Sequence, residues 1–437
     1  MSQAAALTQA KSAAEQSQAR RRGGHAAEWD APRSGENEAR LLSSRSGAKA
    51  AKGAGQDTRA QRRWNSRWVP KNGDLDPRTD PNFFVCGRLV RGQIASMDPK
   101  PIAEILPTHT PALFGMAVAR AAELLRAGEL VALPTETVYG LAANGLDARA
   151  VAKIFEVKAR PGHNPIIVHV ASVAMARLCV AAWPEVADRL ASAFWPGPLS
   201  LVLPRSHAIP DLVTAGGATV GVRWPRHPFI QAVMEACNFP LAVPSANLST
   251  RVSPTKAQHV QKSLGNKIPL IIDGGPSQVG IESTVVDLVA KPPRVLRPGM
   301  IHAESLSAVA GAVQSAERGA RTSAAQLPSP GLLPRHYAPR AKLMILSWLD
   351  DADLHRQLSI VSCRLSAVHV IAHTRIPSGQ GLGRVSVMPL DAQAFARAIY
   401  AELHRCDEEG ADLIAVESLP GGSQWHSLAD RLARAAA

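Results

Sequence analysis

Short apolar runs recur through the middle of this chain, at Leu130–Leu133, Ile166–Val170, Leu199–Leu203, Thr219–Val222, Leu241–Val243, Leu270–Ile272, Thr284–Leu288 and Arg294–Leu296. Each is too short for a helix and rich in aliphatic or β-branched residues, which predicts strands. Helical stretches separate several of them. Met116 to Arg126 has an amphipathic period that stops at Gly128. Asp147 is placed to cap a helix running to about Val157, with Val151, Ile154 and Phe155 on its apolar face. Strands interleaved with helices in this way predict an α/β domain built on a mixed sheet.

The texture changes at both ends of that region. Around Gln314–Pro339 the chain turns Ala-, Ser- and Pro-rich and contains LPSPGLLPRHYAP, whose four prolines exclude regular structure. Beyond it, strands at Leu343–Leu346, Ala367–Ala372, Arg384–Val387 and Asp412–Val416 alternate with helices near Ala394–His404 and Ser427–Ala436. That alternation predicts a second, smaller α/β domain with a largely parallel sheet. Residues 1–105 lack any sustained apolar period and read as a dispensable, disordered basic extension, with a transit peptide or a start at Met97 as the other readings. The expected division is therefore extension 1–105, first domain 106–313, linker 314–340 and second domain 341–437.

The formal charge of +13 suggests nucleic acid until it is divided along the chain. Residues 1–96 carry +8 of it, leaving +5 for everything downstream, so the excess sits where least structure is expected. No run of about 18 uncharged apolar residues exists to cross a membrane. The five cysteines are scattered without a C-x-x-C pair, which disfavours a disulfide framework or a zinc site and suits a cytoplasmic setting.

Common nucleotide and hydrolase motifs are absent: there is no P-loop, no G-x-S-x-G and no H-E-x-x-H. Gly379, Gly381 and Gly383 form a G-x-G-x-G, but a strand rather than a helix follows, so this is a turn. Several polar groups stand just past strand ends instead. In PTETVYGLAANG, Thr135, Thr137 and Tyr139 alternate to one side if the segment is extended, where hydroxyls could grip a small polar ligand or simply satisfy a strand end. In KARPGHNP, Arg160 and Asn164 each precede a proline, and an extended backbone there projects Lys158 and Arg160 together. Such paired cations need an anion between them, for which a polyphosphate fits; the plainer reading is a solvated helix C-terminus. Ser245 and Asn247 of PSAN are two apart and suit phosphate or ribose, or a turn. On ATVGVRWP, Thr219, Gly221 and Arg223 share a strand face, where a guanidinium beside a gap suits a carboxylate. His169 lies in the apolar run IIVHV, as core histidines do, and GIEST and VLRPG add Ser283 and Arg297 to the same rim.

These stretches, in the order PTETVYGLAANG, KARPGHNPIIVHV, WPGPLSLVL, VGVRWPRHP, VPSANLSTRVSPT, IIDGGPSQVGIESTVVDL and VLRPG, closely resemble the threonylcarbamoyl-AMP synthase family with its YrdC-like catalytic domain. SPGLLPRHYAP and the domain ending ADRLARAAA are similar to the linker and C-terminal domain of the longer members. The resemblance implies an open, twisted α/β sheet with a concave cleft, joined to a smaller Rossmann-like domain. It implies that Lys158, Arg160, Ser245 and Asn247 serve ATP, with Asn164 and Arg297 at further nucleotide contacts. Thr135, Thr137, His169, Thr219, Arg223 and Ser283 fall at positions that hold threonine or the adjoining phosphate. Many members carry a linker tyrosine where this chain has Pro334, so that contact is lost or passes to Tyr337.

The implied reaction condenses L-threonine, bicarbonate and ATP into threonylcarbamoyl-adenylate, with pyrophosphate released by nucleotidyl transfer. It calls for alignment and charge neutralisation rather than a covalent intermediate, with Lys158 and Arg160 as the catalytic cations. With no carboxylate cluster in view, Mg²⁺ is expected to ride on ATP. The downstream partner is a tRNA threonylcarbamoyltransferase making N6-threonylcarbamoyladenosine; direct contact with tRNA is left open. The rival reading is a double-stranded RNA-binding module of the same fold; a hydrogenase-maturation carbamoyl-transfer domain lacks its usual neighbouring segments here.

Overall fold

The computed structural model describes residues 102–315, 327, 329–362 and 364–437. Expectations for residues 1–101 therefore lie outside the described residues. The first domain runs β1 (Glu104–Pro107), α1 (Pro111–Arg126), β2 (Val131–Leu133), β3 (Gly140–Asn144), α2 (Ala148–Lys158), β4 (Val168–His169), α3 (Val173–Cys179), α4 (Glu185–Phe194), β5 (Leu199–Pro204) and α5 (Asp211–Thr214). It continues with β6 (Thr219–Arg223), α6 (Pro228–Cys237), β7 (Leu241–Ala242), α7 (Ala257–Leu264), β8 (Leu270–Asp273), β9 (Thr284–Asp287), β10 (Arg294–Arg297) and α8 (Ala303–Ala310). The second domain comprises β11 (Lys342–Leu346), α9 (Asp351–Val361), β12 (Val368–Ala372), β13 (Arg384–Val387), α10 (Ala392–Glu408), β14 (Leu413–Glu417) and α11 (His426–Ala435).

Local chemistry sets these elements as the sequence suggests. Asp147 caps α2 by accepting from the Arg149 N–H at 2.8 Å, and Thr110 caps α1, which starts at Pro111. α2 stops because Ala159 takes a left-handed φ of 49°. Gly379 and Gly381 have φ of 81° and 72° and lead into β13, so the G-x-G-x-G is indeed a turn. The strands β1 and β3 were not anticipated, and β4 and β7 are shorter than their apolar runs.

The first sheet is mixed, in the order β1-β8-β2-β3-β7-β4-β6-β5-β9-β10, and the second is parallel, in the order β11-β14-β12-β13. The two halves of the large sheet are covered differently. Around β2 both faces are packed: Val131 and Leu133 join the layer of α1 and α6, whereas Ala132 joins the layer of α2 and α4. Around β5, β6 and β9 one face packs on the same α2–α4 layer through Leu201, Val222 and Val286. The opposite face carries only the small cluster Ile167, Val202 and Val285 with Leu296 against it. That thinly covered face is the floor of the cleft.

The C-terminal domain does not stand apart from the first. One core cluster combines Val138, Val252 and Ile281 of the first domain with Phe395, Ile399, Tyr400, Trp425 and Leu428 of the second. Among the described residues no helix is long and apolar enough to cross a membrane, and Cys179, Cys237 and Cys406 are buried free thiols.

Candidate active site

A cavity opens on the exposed half of the sheet, lined by Thr135, Thr137, Arg160, His169, Arg223, Ser245, Ser283 and Arg297 among others, with Pro330, Gly331, His336 and Tyr337 of the linker. Residues scattered over more than 200 positions therefore meet because strand ends, one helix terminus and the linker converge. Four of the predicted residues sit elsewhere. Lys158, Asn164 and Asn247 form the layer behind the wall, and Thr219 lines a neighbouring cavity that shares Ile166, Ile167 and Pro330 with the first.

The PTET segment is a turn rather than an extended strand. Thr135 Oγ1 accepts from the Thr137 and Val138 N–H groups and donates to the Val138 carbonyl. Tyr139 consequently leaves the ligand side; its hydroxyl donates to the Gly275 carbonyl at 2.7 Å. The same turn aims Glu136, which drew no attention in the sequence, at Arg223. Its Oε1 accepts from Arg223 Nη2 at 2.7 Å, with both side chains buried. Burial alone would raise the Glu136 pKa, but Arg223 overrides it and holds the carboxylate below its usual range. Arg223 also donates from Nη1 to Thr137 Oγ1 at 3.0 Å and from Nε to the Gly197 carbonyl. One N–H on each terminal nitrogen remains, a fork suited to a carboxylate.

His169 stands beside Arg223 in register on β4 and β6. Burial, reinforced by Arg223, pushes its pKa well down, so the ring is neutral. Neither ring nitrogen makes a hydrogen bond of good geometry. A buried imidazole that lines a cavity with its nitrogens poorly satisfied differs from the satisfied core histidine its apolar strand suggested, and its ring is open to the cavity.

The KARPGHNP segment also departs from the extended geometry expected of it. Lys158 ends α2, and the left-handed Ala159 separates it from Arg160. The Lys158 amine turns inward to the Ser245 and Asn247 carbonyls, where burial, and then Arg160, hold its pKa well below the usual lysine range. It therefore braces the PSAN loop and does not share an anion face to face with Arg160. Nor is it a solvated helix end, since it is 1% exposed. Arg160 donates to the Asn164 carbonyl and Oδ1 and to the Pro165 carbonyl, which leaves Nη1 uncommitted at the cavity.

Arg297 closes the far wall. Its Nε and Nη2 donate to the Ser283 carbonyl and Oγ, both at 3.1 Å, and Nη1 donates to the linker carbonyl of Pro330. Ser283 shares a hydrogen bond with Ser200, another residue the sequence did not single out. Burial lowers the pKa of both Arg160 and Arg297 against a raising effect of Tyr337, with Arg297 pushing Arg160 down further and Arg431 doing the same to Arg297. Among the described residues neither forms an ion pair, so a polyanion beside them would offset that penalty. The linker packs tightly here: a Cβ on Gly331 (φ 87°) would come within 2.4 Å of the Tyr337 hydroxyl, so only glycine fits. The predicted gap at Gly221 does not join Thr219 to Arg223, because Ile167 occupies that side and Gly221 faces the second cavity.

Comparisons with known proteins bear on the chain's family and fold. Residues 123–299 match the Sua5/YciO/YrdC family model, described as telomere recombination, and residues 301–437 match the model described as threonylcarbamoyl-AMP synthase, C-terminal domain. The threonylcarbamoyl-AMP synthase of Pyrococcus abyssi is 38% identical over 325 residues, covering 72% of this chain and 92% of that protein. That of Bacillus subtilis is 38% identical over 329 residues, covering 73% and 92%. The crystal structure of P. abyssi Sua5 complexed with L-threonine superposes with a TM-score of 0.70 at 35% identity, covering 77% of this chain and 98% of that one. The chain belongs to the threonylcarbamoyl-AMP synthase family, in its two-domain form.

Proposed function

We propose that this enzyme is an L-threonylcarbamoyladenylate synthase, and that the cavity between β4, β6, β9 and the linker is where L-threonine, bicarbonate and ATP react. The observation that carries the reading is the pairing of two guanidinium walls with distinct free donors around one cavity. Arg223 keeps a fork for the threonine carboxylate, whereas Arg160 and Arg297 line the same cavity and form no ion pair among the described residues. The neutral His169 and Thr137 stand on the Arg223 side, where the amino acid's hydroxyl and amine need partners. Thr135 and Ser283 would support the threonine and the adjoining phosphate. The second cavity, walled by Ile166, Ile167, Val202, Val285 and Pro330 with Thr219 at its edge, suits the purine ring.

In this reading the neutral threonine amine attacks the carbon of bicarbonate and water leaves, giving the N-carboxylate. A carboxylate oxygen then attacks the α-phosphorus, the bond to the β-phosphate oxygen breaks, and pyrophosphate leaves. This makes the enzyme a nucleotidyltransferase. Arg160 and Arg297 would neutralise charge on the phosphates, and Arg223 would align the attacking carbamate. Lys158 would act through the Ser245–Asn247 loop that it braces, with Ser245 and Asn164 supporting the ATP side. Mg²⁺ would enter as part of the ATP substrate and supply charge neutralisation on its phosphates. The adenylate would pass to a cytoplasmic transferase acting on tRNA.

The test is pyrophosphate release from ATP, bicarbonate and threonine in the absence of RNA, with the adenylate identified by mass. Release independent of threonine, or release only when RNA is added, would overturn the reading.

A further inference from the structure

Two side chains of the C-terminal domain reach the wall of the cavity. Arg431 on α11 is 1% exposed, and its Nε donates to Glu282 Oε2 at 3.1 Å. Its Nη1 donates to the Pro298 carbonyl at 2.7 Å. Glu282 immediately precedes Ser283, and Pro298 immediately follows Arg297, so Arg431 grips the chain on both outer sides of the Ser283–Arg297 pair. Tyr400 on α10 donates to the same Glu282 oxygen at 3.1 Å, while Ser253 donates to the other at 2.6 Å. The linker is held by the same two residues. The Arg431 guanidinium lies 5.3 Å from the centre of the Tyr337 ring, and the Tyr400 ring stacks on Tyr337 at 6.0 Å. Tyr337 needs such support, because its φ of 60° is unfavourable for a residue with a Cβ.

The domains meet closely enough for this to be rigid. A Cβ on Gly280 (φ 87°) would lie 2.3 Å from the Ala396 carbonyl oxygen of α10, and Arg397 donates to the Gln278 carbonyl at 2.9 Å. Stability alone does not explain a buried Arg–Glu pair at such a contact, since apolar residues of similar volume often serve it as well. What a guanidinium adds is a planar fork that bonds several acceptors at fixed angles; an ammonium supplies the charge without the fork.

We infer that Arg431 is a positioning residue for the ATP side of the active site, acting from the C-terminal domain through Glu282, Pro298 and Tyr337 on the Ser283–Arg297 wall. The inference rests on the assignment of this cavity to ATP and threonine. It makes the C-terminal domain part of the site's frame: without it the catalytic sheet would carry the phosphate-facing arginine on an unbraced segment.

The experiment compares Arg431→Lys with Arg384→Met in the full chain, measuring steady-state pyrophosphate release and thermal unfolding. Arg384 pairs with Glu402 and Glu409 within the C-terminal domain and lines neither of the two cavities described above, so its loss reports stability. Arg431→Lys is expected to raise KM for ATP at least tenfold while KM for threonine moves less than threefold, because the Glu136–Arg223–Thr137 side is untouched. Arg384→Met is expected to leave both within twofold. Where Arg431→Lys does not fold, Tyr400→Phe removes only the hydroxyl on Glu282 and should shift the ATP constant in the same selective direction. An ATP constant within twofold in the folded variant, or parallel rises for ATP and threonine, would overturn the inference. Wild-type protein that releases no threonine-dependent pyrophosphate would instead overturn the assignment of the cavity, and the inference with it.

Discussion

Arg160 and Lys158 are two residues apart, yet one faces the cavity and the other the loop behind it. Their variants should therefore differ in kind. Arg160→Ala is expected to lower pyrophosphate release at least tenfold in the folded protein, roughly the 1.5–3 kcal/mol of one charged contact, beyond the stability lost where the Asn164 and Pro165 acceptors are orphaned. Lys158→Met should cost activity and stability together, since the Ser245 and Asn247 carbonyls lose a buried donor at about 1–3 kcal/mol each. Steady-state kinetics and thermal unfolding on both variants check this; a Lys158→Met protein as stable as wild type would show that the loop needs no brace. The K-x-R spacing was legible in the sequence, but its geometry was not, because nothing local announces that Ala159 turns left-handed. Glu136 was hidden for a similar reason. On an extended strand it would point away from Thr135 and Thr137, and only the hydroxyl-closed turn aims it at a residue 87 positions away.

At the scale of elements, the linker segment 329–340 behaves as a wall of the site. Pro330 accepts from Arg297, His336 N–H donates to the Arg434 carbonyl, and Ala338 N–H donates to the Thr250 carbonyl. The proline content predicted irregular structure, and Tyr337 takes the cavity-facing position that Pro334 cannot fill. If the segment acts as a lid over a labile adenylate, ATP and threonine together should slow protease cleavage within residues 314–340. Cleavage at the same rate with and without ligands would make it a fixed tether. A second element-level expectation concerns α7 and α10, where the His259 and His404 rings stack at 3.9 Å. Burial, then His404, then Lys256 and Lys262 push His259 down to about 3, and His259 Nδ1 accepts from the Thr255 N–H. The unfolded chain, with a histidine near 6.5, binds this proton more readily. This contribution to stability is thus fully present above about pH 6.5 and is lost as pH falls towards 3. Denaturant midpoints across that range should fall on acidification, and His259→Gln should flatten the slope; an unchanged slope would assign it to other groups.

For the molecule as a whole, the shared core and the Arg431 network make the two domains one catalytic body. Residues 1–96 are expected to be dispensable, because their composition offers no apolar period with which to join that core. Deleting them should leave threonine-dependent pyrophosphate release within twofold of the full chain. A truncated protein that folds but does not turn over would place the extension in the machinery.

Apolar period, capping residues and proline placement act locally, so the sequence by itself determined the alternation of strands and helices, the second parallel sheet and most of the polar residues that line the cavity. It also determined the family, through motifs that keep their order over the catalytic domain. Four matters waited on the tertiary structure: which face of the sheet is left uncovered, which acceptors Lys158 reaches, how Thr219 parts company with Arg223, and that a C-terminal arginine braces the ATP wall. Each depends on contacts between groups far apart in sequence, whose burial and partners arise only when the chain has closed around them.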